Sequence, residues 1–175
     1  KAKKIGLLWK DMNKPKHPKN VAGSGGVIVI LGFIFGVLSY IAIKTFVLET
    51  DVVTISIFAL LTTILIAGFV GLIDDFLGWT RGGLSAKIRI FLILFASIPL
   101  IVINAGQSKM IGIELGLLYP LFFIPLGIIG ASVTFNFIAG YNGLEASQGI
   151  IILSALSLVT WLTGNSWLAL ISLIM

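Results

Sequence analysis

The sequence has no cysteine, which excludes disulfides, thiol catalysis and zinc–thiolate sites. Charge is scarce: Asp, Glu, Lys and Arg make up 11% of the 175 residues, against about 25% in an ordinary soluble domain. With 58% hydrophobic residues and a mean hydropathy of +1.11, the chain reads as one compact integral membrane bundle rather than a set of soluble domains. Histidine occurs once, at His17. A single exposed imidazole among lysines is most often inert, and no role is assigned to it. The P-loop pattern G-x-x-x-x-G-K-[ST] is absent, as are a secretory signal pattern, an internal repeat and a low-complexity segment. The chain opens at Lys1 rather than Met and closes at Met175 inside an apolar run. That last run is too short for a full span of about 20 residues, so the sequence is expected to be a piece of a longer protein.

Apolar runs that cross a membrane, or nearly so, cover 27–48, 52–73, 88–103, 119–138 and 150–163, and a sixth opens near Trp167. The expected fold class is all-α, a polytopic transmembrane helix bundle of about five full spans plus a truncated sixth, forming a single partial membrane-embedded domain over 1–175. Gly164-Asn165-Ser166 suits a tight connection between antiparallel helices. Between spans, Lys109-Met-Ile-Gly-Ile-Glu-Leu-Gly116 suggests a small hairpin with Gly112 near its turn. Trp9, Trp79, Trp161 and Trp167 fall near span ends, where aromatic belts form.

The net charge of +5 is unevenly placed, with seven of twelve basic residues in 1–20. Such a cluster could suit nucleic acid, but beside a span it marks the cytoplasmic flank, and no nucleic-acid partner is expected. With the N-terminus inside, the segments 1–26, 74–87 and 139–149 face the cytoplasm. Counting Arg89, they carry ten basic residues against Lys44 and Lys109 outside. Asp11, Asp74, Asp75, Asn136, Asn142 and Glu145 then share one side of the membrane.

Three polar clusters carry the chemistry. Asp11-Met-Asn13-Lys14 precedes Gly23-Ser-Gly-Gly26, where backbone N–H groups before a helix could meet an anion. A plain solvated linker explains the same residues. Gly71-Leu-Ile-Asp74-Asp75-Phe-Leu-Gly78 is followed by Arg81, Lys87 and Arg89. Paired carboxylates at a membrane edge are costly unless their charge is offset, and hard divalent cations prefer oxygen ligands. Carboxylates for a metal and cations for phosphates in one short loop suit phosphoryl transfer. The structural alternative is a helix C-terminus ending in polar residues, but acidic groups there oppose the dipole. The third cluster, Asn136-Phe-Ile-Ala-Gly-Tyr-Asn142-Gly-Leu-Glu145, holds an Asn-Gly turn signal. Asn142 is equally well a turn residue, and Glu145 equally well a favourable carboxylate at a helix N-terminus.

Together, Asp11-x-Asn-Lys14, Gly71-x-x-Asp-Asp75 and Asn136-x-x-Ala-Gly-x-Asn-Gly-Leu-Glu-Ala146 resemble the polyprenyl-phosphate N-acetylhexosamine-1-phosphate transferase family (glycosyltransferase family 4 type). The third motif looks most like the dolichyl-type archaeal and eukaryotic members. The resemblance implies transfer of N-acetylglucosamine-1-phosphate from a UDP-sugar to a polyprenyl or dolichyl phosphate, releasing UMP. It implies Mg²⁺, with Mn²⁺ as the alternative ion. It implies catalytic roles for Asp74, Asp75 and Lys87, metal ligation by Asp75 and Asn136, and substrate contacts from Asn13, Lys14, Asn136, Asn142 and Glu145. The active site would face the cytoplasm, in an archaeal cell membrane rather than an endoplasmic reticulum, and a homodimer is compatible with it. The chain departs from the eukaryotic pattern at Gly23-Ser24, where a glutamate that helps hold uracil is usual. One rival reading is a transporter or channel fragment with an acidic ion site; a second, ranked last because it leaves the Asp-Asp pair unexplained, is a structural or assembly subunit whose lysine-rich segment meets anionic lipid.

Overall fold

A computed structural model describes residues 8–9, 21–22, 26–49, 54–81, 83–138 and 143–175. In chain order they form β1 (Leu8–Trp9), β2 (Val21–Ala22), α1 (Gly26–Phe46), α2 (Thr54–Arg81), α3 (Ala86–Ile103), β3 (Lys109–Met110), β4 (Ile113–Glu114), a π-helical turn (Tyr119–Phe123), α4 (Ile124–Ile138), α5 (Leu144–Leu162) and α6 (Ser166–Ile174). Four helical stretches, Gly26–Phe46, Ile55–Leu77, Ala86–Ile103 and Leu144–Leu162, are long and apolar enough to cross a membrane, and Tyr119–Phe135 is a shorter apolar helix. The all-α expectation holds. The elements fall into two compact units, one of residues 54–136 and one of 1–53 with 137–175.

In the first unit, α2 and α3 form an antiparallel pair across a short connection. Ile57 and Leu61 lie one turn apart on α2, and Ile93, Ala96 and Ser97 follow the i, i+3, i+4 spacing on α3; all five are buried, as a helical contact stripe requires. Gly83, at φ +88°, makes the reversal in a left-handed conformation that glycine adopts without a Cβ clash. Ser85 then caps α3: its backbone is extended and its hydroxyl accepts from the Ile88 N–H at 3.4 Å. At the other end of α3 the Asn104 side-chain amide donates to the Leu100 carbonyl at 2.8 Å.

The expected hairpin is present. Lys109 pairs with Glu114 and Met110 with Ile113. Ile111 and Gly112 form its two-residue turn at φ +52° and +79°, positive at both positions as in a type I′ turn. The span expected at 119–138 opens with the π-helical turn, in which Pro120 is buried, before continuing as α4.

In the second unit, β1 and β2 pair antiparallel, with Leu8 opposite Ala22; no strand is foreseen there from the sequence. α5 and α6 are joined by a three-residue connection, as expected for 164–166. The buried Ser157 hydroxyl donates across the pair to the Ala169 carbonyl at 3.0 Å. The Thr160 and Thr163 hydroxyls donate back into their own helix, to Leu156 and Val159, which satisfies them without water. α1 buries Phe33 and Val37. It approaches α6 at Gly36, where a Cβ would run into the Ile174 Cγ2 methyl.

Candidate functional site

The segment 74–87, expected as a loop, is mostly helical. α2 continues past Ile73 to Arg81, and α3 starts at Ala86. Asp74 and Asp75 therefore lie about two turns before the end of α2, not at its terminus. The dipole acts within the last turn, so, contrary to the expectation of a helix C-terminus, it does not penalise the pair. The offset to the charge comes from the neighbouring helix instead.

Asp74 is part-buried. Its Oδ1 accepts from the Leu84 N–H at 2.7 Å, and its Oδ2 meets Arg89 Nη2 at 2.7 Å. Both contacts involve an ionised partner, which makes them short and strong. They also relieve a second strain. Lys87 and Arg89 occupy the first turns of α3, where the positive end of the dipole disfavours cations. Asp74 brings a negative charge to that end. Asp75, one residue on, is exposed and has interactions of its own. Lys87 is exposed.

The other expected site residues are less informative. Asn136 lies in the last turn of α4, with its side chain outside the described residues. Glu145 is exposed in the first turn of α5, where a carboxylate complements the dipole. The residue before that helix, Gly143, is left-handed at φ +79°, in keeping with the Asn-Gly turn signal. Asp11, Asn13, Lys14 and Asn142 lie outside the described residues.

The corner thus joins Asp74 to Arg89 and to the Leu84 amide, while Asp75 and Lys87, their neighbours in sequence, are exposed. Arg89 is the residue whose part the sequence reading missed. Its signal was the opposite charge of residues 74 and 89 on either side of a glycine-led turn into a serine cap. Among the described residues, no three or more His, Cys, Asp or Glu side chains cluster to hold a metal.

Apolar spans and a carboxylate–cation corner at the end of one of them define an integral membrane protein with a polar centre at the membrane edge. Residues 57–175 match the family described as Glycosyl transferase family 4, and the chain belongs to that family. A Saccharolobus solfataricus protein provisionally named UDP-N-acetylglucosamine--dolichyl-phosphate N-acetylglucosaminephosphotransferase is 37% identical over 90% of this chain and 47% of its own length. A Sulfolobus acidocaldarius protein with the same provisional name is 30% identical over 94% of this chain and 49% of its own. The Dictyostelium discoideum protein of that name is 26% identical over 86% of this chain and 40% of its own. The chain spans about half the length of the curated relatives it matches. No solved structure matches it. Membership of a glycosyl transferase family does not favour the transporter alternative.

Proposed function

We propose that this chain belongs to an enzyme that transfers N-acetylglucosamine-1-phosphate from UDP-N-acetylglucosamine to a polyprenyl phosphate of the dolichyl type. The observation that carries this reading is the carboxylate–cation corner at the end of a membrane span, in a chain of this family. The relatives' names supply the donor and the lipid.

In the reaction, a lipid phosphate oxygen attacks the β-phosphorus of the UDP-sugar. The bond from that phosphorus to the bridging oxygen breaks, and UMP leaves with the bridging electrons. The second pKa of a phosphate monoester is about 6, so the nucleophile is already mostly ionised near neutral pH and needs little general-base help. What the protein supplies is position and countercharge. Lys87, exposed at the N-terminal end of α3, is suited to an anion, because the dipole and its own charge attract one together.

Mg²⁺ fits the donors at hand. It usually keeps several waters and is bound through one or two carboxylates plus substrate phosphates, rather than in an all-protein cage. Asp75, a hard oxygen donor exposed on α2, would hold it together with Asn136, and Mn²⁺ would serve by the same chemistry. The ion's contribution there is to neutralise the diphosphate oxygens. Asn13, Lys14, Asn142 and Glu145 complete the substrate contacts in this reading. The reaction face is cytoplasmic, as the distribution of basic residues favours, and the membrane is an archaeal cell membrane, in keeping with the Saccharolobus and Sulfolobus sources of two of the relatives.

The test is UMP release by the full-length protein in lipid, given UDP-N-acetylglucosamine and a polyprenyl phosphate. Release requires Mg²⁺ and lipid, and Asp75→Asn abolishes it at saturating lipid. Near-normal turnover by that variant would remove Asp75 from the centre. No release with any UDP-sugar would remove the reaction.

A further inference from the structure

Adjacent aspartates look equivalent in a sequence, but the fold separates these two. Both oxygens of Asp74 are engaged within the protein, one by the Leu84 N–H and the other by Arg89, each at 2.7 Å. The Asp74 side chain is only 20% exposed. Asp75 is turned about 100° further round α2 and is exposed. The cations separate in the same way. Lys87 and Arg89 are two residues apart, on nearly opposite sides of α3. Arg89 turns to Asp74, while Lys87 stays exposed and makes no ion pair among the described residues.

The two ties from Asp74 reach residues 84 and 89, which bracket Lys87 on both sides. They fasten the Gly83–Ser85 turn and the start of α3 to the stretch of α2 that carries Asp75.

We propose that Asp74 and Arg89 are positioning residues rather than substrate ligands. They form a latch, closed by the Leu84 amide, that fastens the start of α3, and with it the exposed Lys87, to the stretch of α2 that carries Asp75. The inference rests on the transfer reading above for its substrate, but not for its geometry.

The first test is a double-substitution cycle in the full-length protein, read as kcat and as KM for the UDP-sugar. Asp74→Asn and Arg89→Ala each lower kcat by roughly ten- to a hundredfold, the scale of a misplaced reacting group, with KM changed less than about threefold. The double variant is within about threefold of the slower single one, because both break one device. Arg89→Lys restores part of the rate. Losses that multiply in the double variant would mean that each residue acts on substrate separately, and the latch is then wrong.

The second test needs no activity. With any cysteine outside this cysteine-free stretch replaced, a nitroxide attached at Ala86→Cys reports on the start of α3. Its mobility rises in Asp74→Asn and in Arg89→Ala and stays unchanged in Lys109→Ala, beyond the far end of α3. Unchanged mobility in the first two variants overturns the latch whatever the enzyme does. A wild type that transfers no sugar phosphate, yet shows these mobility changes, overturns the transfer reading and leaves the latch standing.

Discussion

Ile111 holds a β-branched side chain at φ +52° and is almost fully exposed, at 89%. The left-handed region costs an ordinary L-residue about 1–2 kcal/mol, and asparagine before glycine is the preferred type I′ pair. Ile111→Asn is therefore expected to stabilise the protein by about 1 kcal/mol, read as a higher unfolding midpoint in detergent. A fall in the midpoint would mean that the isoleucine side chain is itself buried by lipid or protein. The turn was legible from Gly112 alone, because glycine announces a positive φ. The same φ at Ile111 was not, since nothing in isoleucine favours it. The latch was hidden for a related reason. Asp74 and Asp75 differ only in which way each faces on a helix, and that depends on contacts with residues 84 and 89 beyond the turn.

At the scale of elements, α1 approaches α6 closely at Gly36. Small residues let membrane helices come close, and packing supplies much of their attraction. Gly36→Ala is expected to cost about 1–3 kcal/mol by overpacking. Combining it with Ile174→Ala should cost less than the sum of the two, because the methyl that is struck has been removed. Unfolding of both single variants and the double variant in mixed micelles decides this, and plain additivity would show that the helices simply move apart. The spans themselves were readable because lipid demands long apolar runs. The end of α2 was not readable from hydropathy, which falls away at Asp74 while the helix continues to Arg81. Hydrogen bonding, not polarity, ends a helix, and here Gly83 and the Ser85 cap mark the reversal.

At the scale of the whole molecule, the distribution of basic residues predicts an orientation. The hairpin at 109–114 and the corner at 83–85 are at opposite ends of α3. A membrane-impermeant thiol reagent on intact cells should therefore label Gly112→Cys and spare Gly83→Cys, with the reverse in inverted vesicles. Labelling of both from one side would undo the assignment of the reaction face. The three motifs that carried the resemblance were legible because each joins unusual residue types in a fixed order. The distances between those motifs were not legible, because no sequence spacing measures a distance between helices.

The length of α2 has a consequence for depth. From Thr54 to Asp74 the helix rises about 30 Å, close to the thickness of a bilayer's hydrocarbon core, and no break in the helix separates the crossing part from the carboxylates. The rod that traverses the lipid is thus also the ruler that sets how far from the far leaflet the acidic pair stands. Adding or removing one residue along it would turn the pair by about 100° and shift it by about 1.5 Å. In the transfer reading proposed above, a phosphate anchored at the headgroup plane cannot follow such a change, so the count of apolar residues before Asp74 matters to the centre as much as the aspartates themselves.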